Sequence, residues 1–187
     1  MKETLNTIAK RFSCRSYTDE MPTDEQLTAI IQAGIEAPSG MNRQGWQVIL
    51  VKDKELIAEM DAEGMKVMSQ MEDQAMYNRI MTRGGKLLYN APCLVVIAIK
   101  ETDPKGAELV DLGIVAQNIV LAATSLGVDN VHCGLLGLSF AGDKADEFKS
   151  RLQFPAGYEY GIGVLLGFAK ETKEPHEPDT NKITVIG

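Results

Sequence analysis

The chain is poor in the residues that most often carry chemistry. Its 187 residues include two histidines, three cysteines and one tryptophan. Cys14, Cys93 and Cys133 lie far apart, form no CxxC pair and are odd in number. That excludes a disulfide framework and a cysteine zinc site, and it suits reduced thiols in a cytoplasmic protein. His132 and His176 have no Cys or carboxylate at ligand spacing, so no metal centre is expected. No Ser/His/Asp or Cys/His set offers a nucleophile with its base. Long hydrophobic runs are missing too. The longest apolar stretches, Cys93 to Ile99 and Ile162 to Ala169, are far short of the roughly 18 residues that span a bilayer, so no membrane partner is expected. The N-terminus is interrupted by charge every few positions and lacks the apolar core of a signal peptide, which makes Met1 the expected mature start. No G-x-G-x-x-G follows a strand: Gly161, Gly163 and Gly167 have the wrong spacing and lie inside an expected strand, so a pyridine nucleotide has no dedicated Rossmann site.

What is present is an ordinary globular composition, 44% hydrophobic and 24% charged, in a length that predicts one domain over 1–187. The net charge of −7 argues against nucleic acid as a partner, because phosphate backbones need a basic face. The acidity is uneven. Residues 1–17 carry Lys2, Lys10, Arg11 and Arg15 against Glu3 alone, a local +3.

Periodicity predicts the elements. Leu5, Ile8, Ala9 and Phe12 recur at i, i+3, i+4 and i+7, giving a short amphipathic helix that ends in Lys10 and Arg11. Thr23 and Gln26 read as a capping box, followed by Leu27, Ile30, Ile31 and Ile35 on one helical face. Pro38 ends that helix, and a turn-rich loop leads into a strand from Trp46 to Lys52. Lys54 to Met81 predicts two helices broken near Gly64, with a stripe of methionines that reads either as a mobile lid or, preferably, as packing against a partner. A buried strand over Cys93 to Lys100 and a helix over Ala107 to Leu126 come next, the latter apolar nearly all round. Then follow a strand (Val128 to Cys133), a Gly-rich turn (Gly134 to Gly137), a helix from about Gly142 to Leu152 and a strand (Glu159 to Ala169). The tail from Lys170 cannot make a core alone, and Ile183 to Ile186 reads as an added strand.

Two local patterns could bind a ligand. Arg11-Phe12-Ser13-Cys14-Arg15 places two guanidinium groups four residues apart with a hydroxyl between them. Arginine forks grip phosphate bidentately, so this could be a phosphate clamp; it could equally be a solvated helix end that complements the macrodipole. Cys14 reads as a small residue packed beneath that segment rather than a nucleophile. Pro38-Ser39-Gly40-Met41-Asn42-Arg43-Gln44-Gly45-Trp46 offers side-chain donors and acceptors at Ser39 and Asn42 and close backbone approach at Gly40. Alone it is also a helix stop, a turn and a strand start.

Together, a short N-terminal helix ending in R-x-S-x-[RK] and a later PS-[SG]-x-N-x-Q-x-W entering a strand resemble the nitroreductase family of FMN-dependent oxidoreductases. The resemblance spans essentially the whole chain. It implies an α+β fold, a mainly antiparallel sheet flanked by helices, in an intertwined homodimer with FMN at the subunit interface. Carried over, Arg11 and Ser13 would hold the FMN phosphate and Arg15 would sit near the pyrimidine edge of the ring. Pro38, Ser39, Gly40 and Asn42 would come from the other subunit. Cys133 and Gly134 would lie along the ring near N5, Lys86 would contact the ring, and Lys173 would be a C-terminal phosphate-binding cation. The sequence departs from the family at Gly45, where proline is usual, and at Lys170 and Lys173, where arginine is common. The implied activity is hydride transfer from NADH or NADPH, as a transient co-substrate, to nitroaromatics, quinones or similar small oxidants by a ping-pong mechanism. A flavin or enone reductase of the same family, and a non-catalytic FMN-binding protein, remain alternatives.

Overall fold

The computed structural model describes residues 2–100 and 106–187; Met1, the expected mature start, and residues 101–105 lie outside the described residues. Among the described residues, six α-helices and four strands follow one another as α1 (Glu3–Lys10), α2 (Asp24–Ile35), β1 (Trp46–Val51), α3 (Lys54–Ser69), α4 (Ala75–Met81), β2 (Cys93–Lys100), α5 (Ala107–Ser125), β3 (Asp129–Cys133), α6 (Ala145–Arg151) and β4 (Tyr158–Gly167). The strands form one antiparallel sheet in the order β1-β2-β4-β3. This is the mixed helix and antiparallel sheet architecture anticipated above.

Both faces of the sheet are covered, and strand alternation divides the core between them. Leu94, Val96 and Leu165 face one side with residues of α3, α4 and α6. Cys93, Val95, Ile97, Val164 and Leu166 face the other, with Leu27 and Ile30 of α2 and Val115, Ile119 and Val120 of α5. Burial on two faces is why β2 reads as a continuous apolar run instead of an alternating one. The capping box forms as expected: the Gln26 amide donates to Thr23 Oγ1, and the Thr23 amide donates to Gln26 Oε1.

Several expectations are corrected. The apolar stripe of α1 faces outward: Leu5 is 53% and Ile8 50% exposed, while Thr7 is the buried residue. The helix break falls after Ser69, not near Gly64. Gly64 is buried inside α3, where an added Cβ would lie 3.0 Å from Ser139 Oγ and 3.1 Å from Leu87 Cδ1. It is there for close approach, not for a stop. The methionine stripe divides: Met60 and Met68 are core, whereas Met71, Met76 and Met81 are exposed. The segment Gly134–Phe140 is a run of 3-10 turns. Among the described residues, Ile183 to Ile186 pairs with no strand, and Val185 and Ile186 are 87% and 92% exposed. Finally, α5 is long and apolar enough to cross a membrane by length and composition. Its Leu112, Val115, Ala116, Ile119, Val120 and Ala123 are buried within the fold, which accounts for that hydropathy as a core helix.

Candidate functional site

The basic N-terminal segment is tied to the ends of two strands. Ser13 bridges Asn130 of β3, the Cys14 amide donates to the Asn130 carbonyl at 3.0 Å, and Tyr17 bridges Ala169 just past β4. The Thr18 amide donates to the Phe168 carbonyl and the Lys170 amide to the Ser16 carbonyl. Residues 11–18 therefore run as a strap across the sheet end, beside the Cys133–Gly134 turn and the start of the tail. Cys14 and Tyr17 anchor it in the core. Burial pushes the Cys14 thiol upward, and the thiol donates to the Ser16 carbonyl, so it is a packed neutral group as anticipated.

Along this strap the cations spread out. Arg11 is half-buried and borders a recess with Asp129 and Asn130, and one terminal nitrogen of its guanidinium is buried without any hydrogen-bond partner. Asn130 Oδ1, on the same recess, is buried and unpartnered too. Leaving a charged donor buried and unpaired is costly, so this arrangement suits a ligand that brings an anionic acceptor together with hydroxyl donors. A phosphate on a polyhydroxylated chain, as in FMN, meets both requirements. Lys173, on the tail, is close enough to Cys14 for its positive charge to favour the thiolate. Arg11 and Ser13 thus lie on the strap, with Lys173 near it on the tail.

Arg15 points into a neighbouring cleft of about 190 Å³ that also holds Cys133 and Gly134. The Cys133 side chain is buried, and its thiol is pushed up to about 11 by that burial, so at neutral pH it is protonated and inert. What this turn offers a ligand is backbone. The Cys133 carbonyl accepts from the Tyr160 hydroxyl at 3.0 Å, which fixes its orientation, and Gly134 is exposed with no atom within 4 Å of where a Cβ would stand. His132 borders the cleft as well; burial first, then the charge of Arg11, hold its pKa below the usual histidine value.

The remaining expected residues lie elsewhere. The loop with Pro38, Ser39, Gly40 and Asn42 sits at the N-terminal end of α5, where the Gly40 amide donates to Asp111 Oδ1 at 3.1 Å and the Gln44 amide to Ser39 Oγ at 2.9 Å. Met41, Asn42 and Gln44 all adopt positive φ, so the loop is held by its own hydrogen bonds in an unusual shape. Within one chain it lines neither the Arg11 recess nor the Arg15 cleft. Lys86 lies 3.7 Å from Asp61 Oδ2 and borders a separate recess with Asp19, Lys54 and Pro92. Asp61 also accepts from the Leu88 amide at 2.7 Å, and burial raises its pKa.

Sequence reasoning missed Arg79, Arg83 and Tyr89, which line the cleft with Arg15. Met76, Arg79, Ile80 and Arg83 fall at helical spacing, but that local pattern does not encode where the segment lies relative to Arg15, and Tyr89 carries no pattern at all. Tyr160, which holds the Cys133 carbonyl from within a strand, carried no such signal.

Known proteins place the chain in a family. Residues 8–168 match the nitroreductase family. A nitroreductase with bound FMN from Desulfitobacterium hafniense DCB-2 is 57% identical, with a TM-score of 0.96 covering 100% of both chains. The NADPH-flavin oxidoreductase of Vibrio harveyi is 32% identical over 180 residues, 93% of this chain and 69% of that one. The FMN reductase [NAD(P)H] of Bacillus subtilis is 32% identical over 195 residues, 100% of this chain and 76% of that one. With the match running from the strap through the end of the sheet, the chain belongs to the nitroreductase family.

Proposed function

We propose that the protein is an FMN-dependent NAD(P)H oxidoreductase that reduces nitroaromatics, quinones or related small acceptors. The observation that carries this reading is the half-buried Arg11, with its partnerless buried nitrogen, on a strap beside the open Cys133–Gly134 turn. The D. hafniense relative binds FMN, and the V. harveyi and B. subtilis relatives are named for flavin reduction. Bound FMN would supply the two-electron chemistry, taking hydride from NAD(P)H and passing it to a second substrate that replaces the first in ping-pong order. For a nitro group the balance is ArNO2 + NAD(P)H + H+ giving ArNO + NAD(P)+ + H2O.

The residues divide the work. Arg11, Ser13 and Lys173 bind the phosphate by charge and donors. Arg15 would hold a fixed cation beside the pyrimidine part of bound FMN, favouring the negative charge of its reduced form. Cys133 and Gly134 present backbone, oriented by the Tyr160 hydroxyl. Lys86, expected at the ring, is instead paired with Asp61 in the neighbouring recess of its own chain and takes no assigned part here.

The site is completed by a second copy of the chain. The Pro38, Ser39, Gly40 and Asn42 loop lies away from its own clamp, so its contribution is made to the other subunit's flavin. The exposed Leu5 and Ile8 of α1, Leu109 and Val110 of α5, and the apolar tail end are the surfaces that such a homodimer would cover. The names of the relatives also favour a second reading, in which free flavin is the acceptor.

The test is a visible spectrum of protein prepared with FMN, recorded before and after anaerobic NADH or NADPH. Flavin absorbance that bleaches supports the enzyme. A colourless protein overturns the reading, and a flavin that stays oxidised reduces it to a binding protein. Substrate profiling with nitroaromatics, quinones and free FMN separates the acceptors.

A further inference from the structure

The cofactor reading leaves α4 and the turn after it unused at the Arg15 cleft. Met76, Arg79 and Ile80 line the cleft from α4 and Arg83 from the turn just beyond it, with Arg15 and Tyr89 beside them. Three guanidinium groups thus border one cleft, and no carboxylate does. Among the described residues, none of the three forms an ion pair. Like charges brought together without a counter-charge are unfavourable, and the chain carries a net charge of −7 from which compensating acids could have come. The cations assigned to the FMN phosphate, Arg11 and Lys173, do not line this cleft. Arg79 and Arg83 therefore exceed what the cofactor needs. The thioether of Met76 and the side chains of Ile80 and Tyr89 give the same cleft apolar walls suited to a flat ring.

We propose that Arg79 and Arg83 form an anion receptor at the mouth of the flavin site, and that the acceptor is a planar compound bearing a carboxylate or phosphate. The proposal rests on the flavin-enzyme reading of this cleft. Arginine forks bind such groups bidentately and, being always charged, confer a preference that pH does not switch off. The shared chemistry could also be met from the donor side, by the 2′-phosphate of NADPH.

The experiment compares holoenzyme with Arg79→Gln and Arg83→Gln, each with its flavin content verified by absorbance. Both positions are exposed, so the fold does not depend on them. Steady-state kcat/KM is measured for 4-nitrobenzoate against the neutral 4-nitrobenzamide, and for NADPH against NADH. The dissociation constant of 4-nitrobenzoate is measured by calorimetry on the oxidised protein, which requires no turnover. The expected result is a charged-to-neutral acceptor ratio that falls about tenfold in either variant, as the loss of a charge-assisted contact implies. A parallel weakening of 4-nitrobenzoate binding, with partial recovery in Arg79→Lys, accompanies it. An unchanged acceptor ratio with a lost NADPH preference overturns the acceptor assignment and gives the receptor to the nucleotide. Ratios and binding unchanged in both arms overturn the receptor altogether. If the flavin does not bleach with NADH or NADPH, the enzyme reading fails, and the calorimetric arm still decides the receptor.

Discussion

Arg11 is the side chain on which the cofactor reading turns, because its geometry makes little sense without a ligand. A guanidinium that is half-buried with one nitrogen unpartnered destabilises the ligand-free fold and gains when an anion arrives. Arg11→Ala is therefore expected to weaken FMN binding about 10- to 100-fold, the worth of a charge-assisted hydrogen bond of about 1.5–3 kcal/mol. The melting temperature of the FMN-free protein should not fall. Fluorescence titration and a thermal melt check the pair, and unchanged affinity would remove Arg11 from the site. The cysteines make a different prediction. Burial holds Cys133 at about 11 and Cys93 at about 12, and raises Cys14. A thiol whose folded pKa lies above its unfolded value stabilises the fold below the unfolded pKa. The contribution is lost as pH rises toward the folded one, since the unfolded chain then sheds the proton first. Urea unfolding should show stability falling above roughly pH 9, by about 1.4 kcal/mol per pH unit for each such thiol. At about pH 8 a thiol reagent should label none of the three in the native protein and all of them once it is unfolded. Rapid native labelling would contradict the neutral, packed role assigned to Cys133.

Among the elements, α3 and the Gly134–Phe140 turns depend on one another through Gly64. The Ser139 hydroxyl donates to the Met60 carbonyl at 2.7 Å, one helical turn from Gly64, so the turns lie directly on the helix. Gly64→Val would drive two methyl groups into Ser139 and Leu87, with an expected loss of about 1–3 kcal/mol from overpacking. Because those turns begin at Gly134, flavin affinity should fall with stability, as chemical denaturation and an FMN titration on the same variant would measure. The same glycine explains what could be read in advance and what could not. Strands and helices with a buried face, β2 and α2 above all, were legible because their hydrophobic period reports the core. Gly64 carried the signal of a helix breaker, and only the tertiary contact shows that it serves close approach. In α1 the period was legible but its partner was not: Leu5 and Ile8 mark an apolar face that the chain itself does not cover. The candidate site followed the same division. Arg11, Ser13, Arg15 and Cys133 fall together because backbone bridges pin the strap beside β3. The cleft-lining role of Arg79 and Arg83 depends on where α4 is placed, which no local pattern encodes.

At the scale of the whole molecule, the tail and the sheet edge pose one question. Beyond Lys170, whose amide is tied to Ser16, the chain runs to Gly187 almost entirely exposed, and it ends in the apolar run Ile183 to Ile186. Strand β1 meanwhile is an edge, and a groove of about 410 Å³ runs along Gln47 to Asp53 toward Arg151 and Gln153. An open edge strand is a site for pairing with another chain, and an apolar segment in water is unfavourable until it is covered. In the proposed homodimer a tail of one subunit laid over the β1 edge of the other would meet both needs at once, while Lys173 at its base stays near its own strap. Deleting residues after Lys170 then removes three things: the cover on the partner, the β1 pairing and the Lys173 cation. The truncated chain keeps both faces of its own sheet packed, since the buried residues all precede the cut. It is therefore expected to remain folded by circular dichroism while its mass by light scattering moves from dimer toward monomer and its FMN affinity drops. Lys173→Ala in the full-length chain separates the effects: it should weaken FMN binding and leave the dimer intact. A truncated protein that stays dimeric with full flavin affinity would show that α1, α5 and the 38–44 loop suffice for assembly, and that the tail covers nothing the site requires.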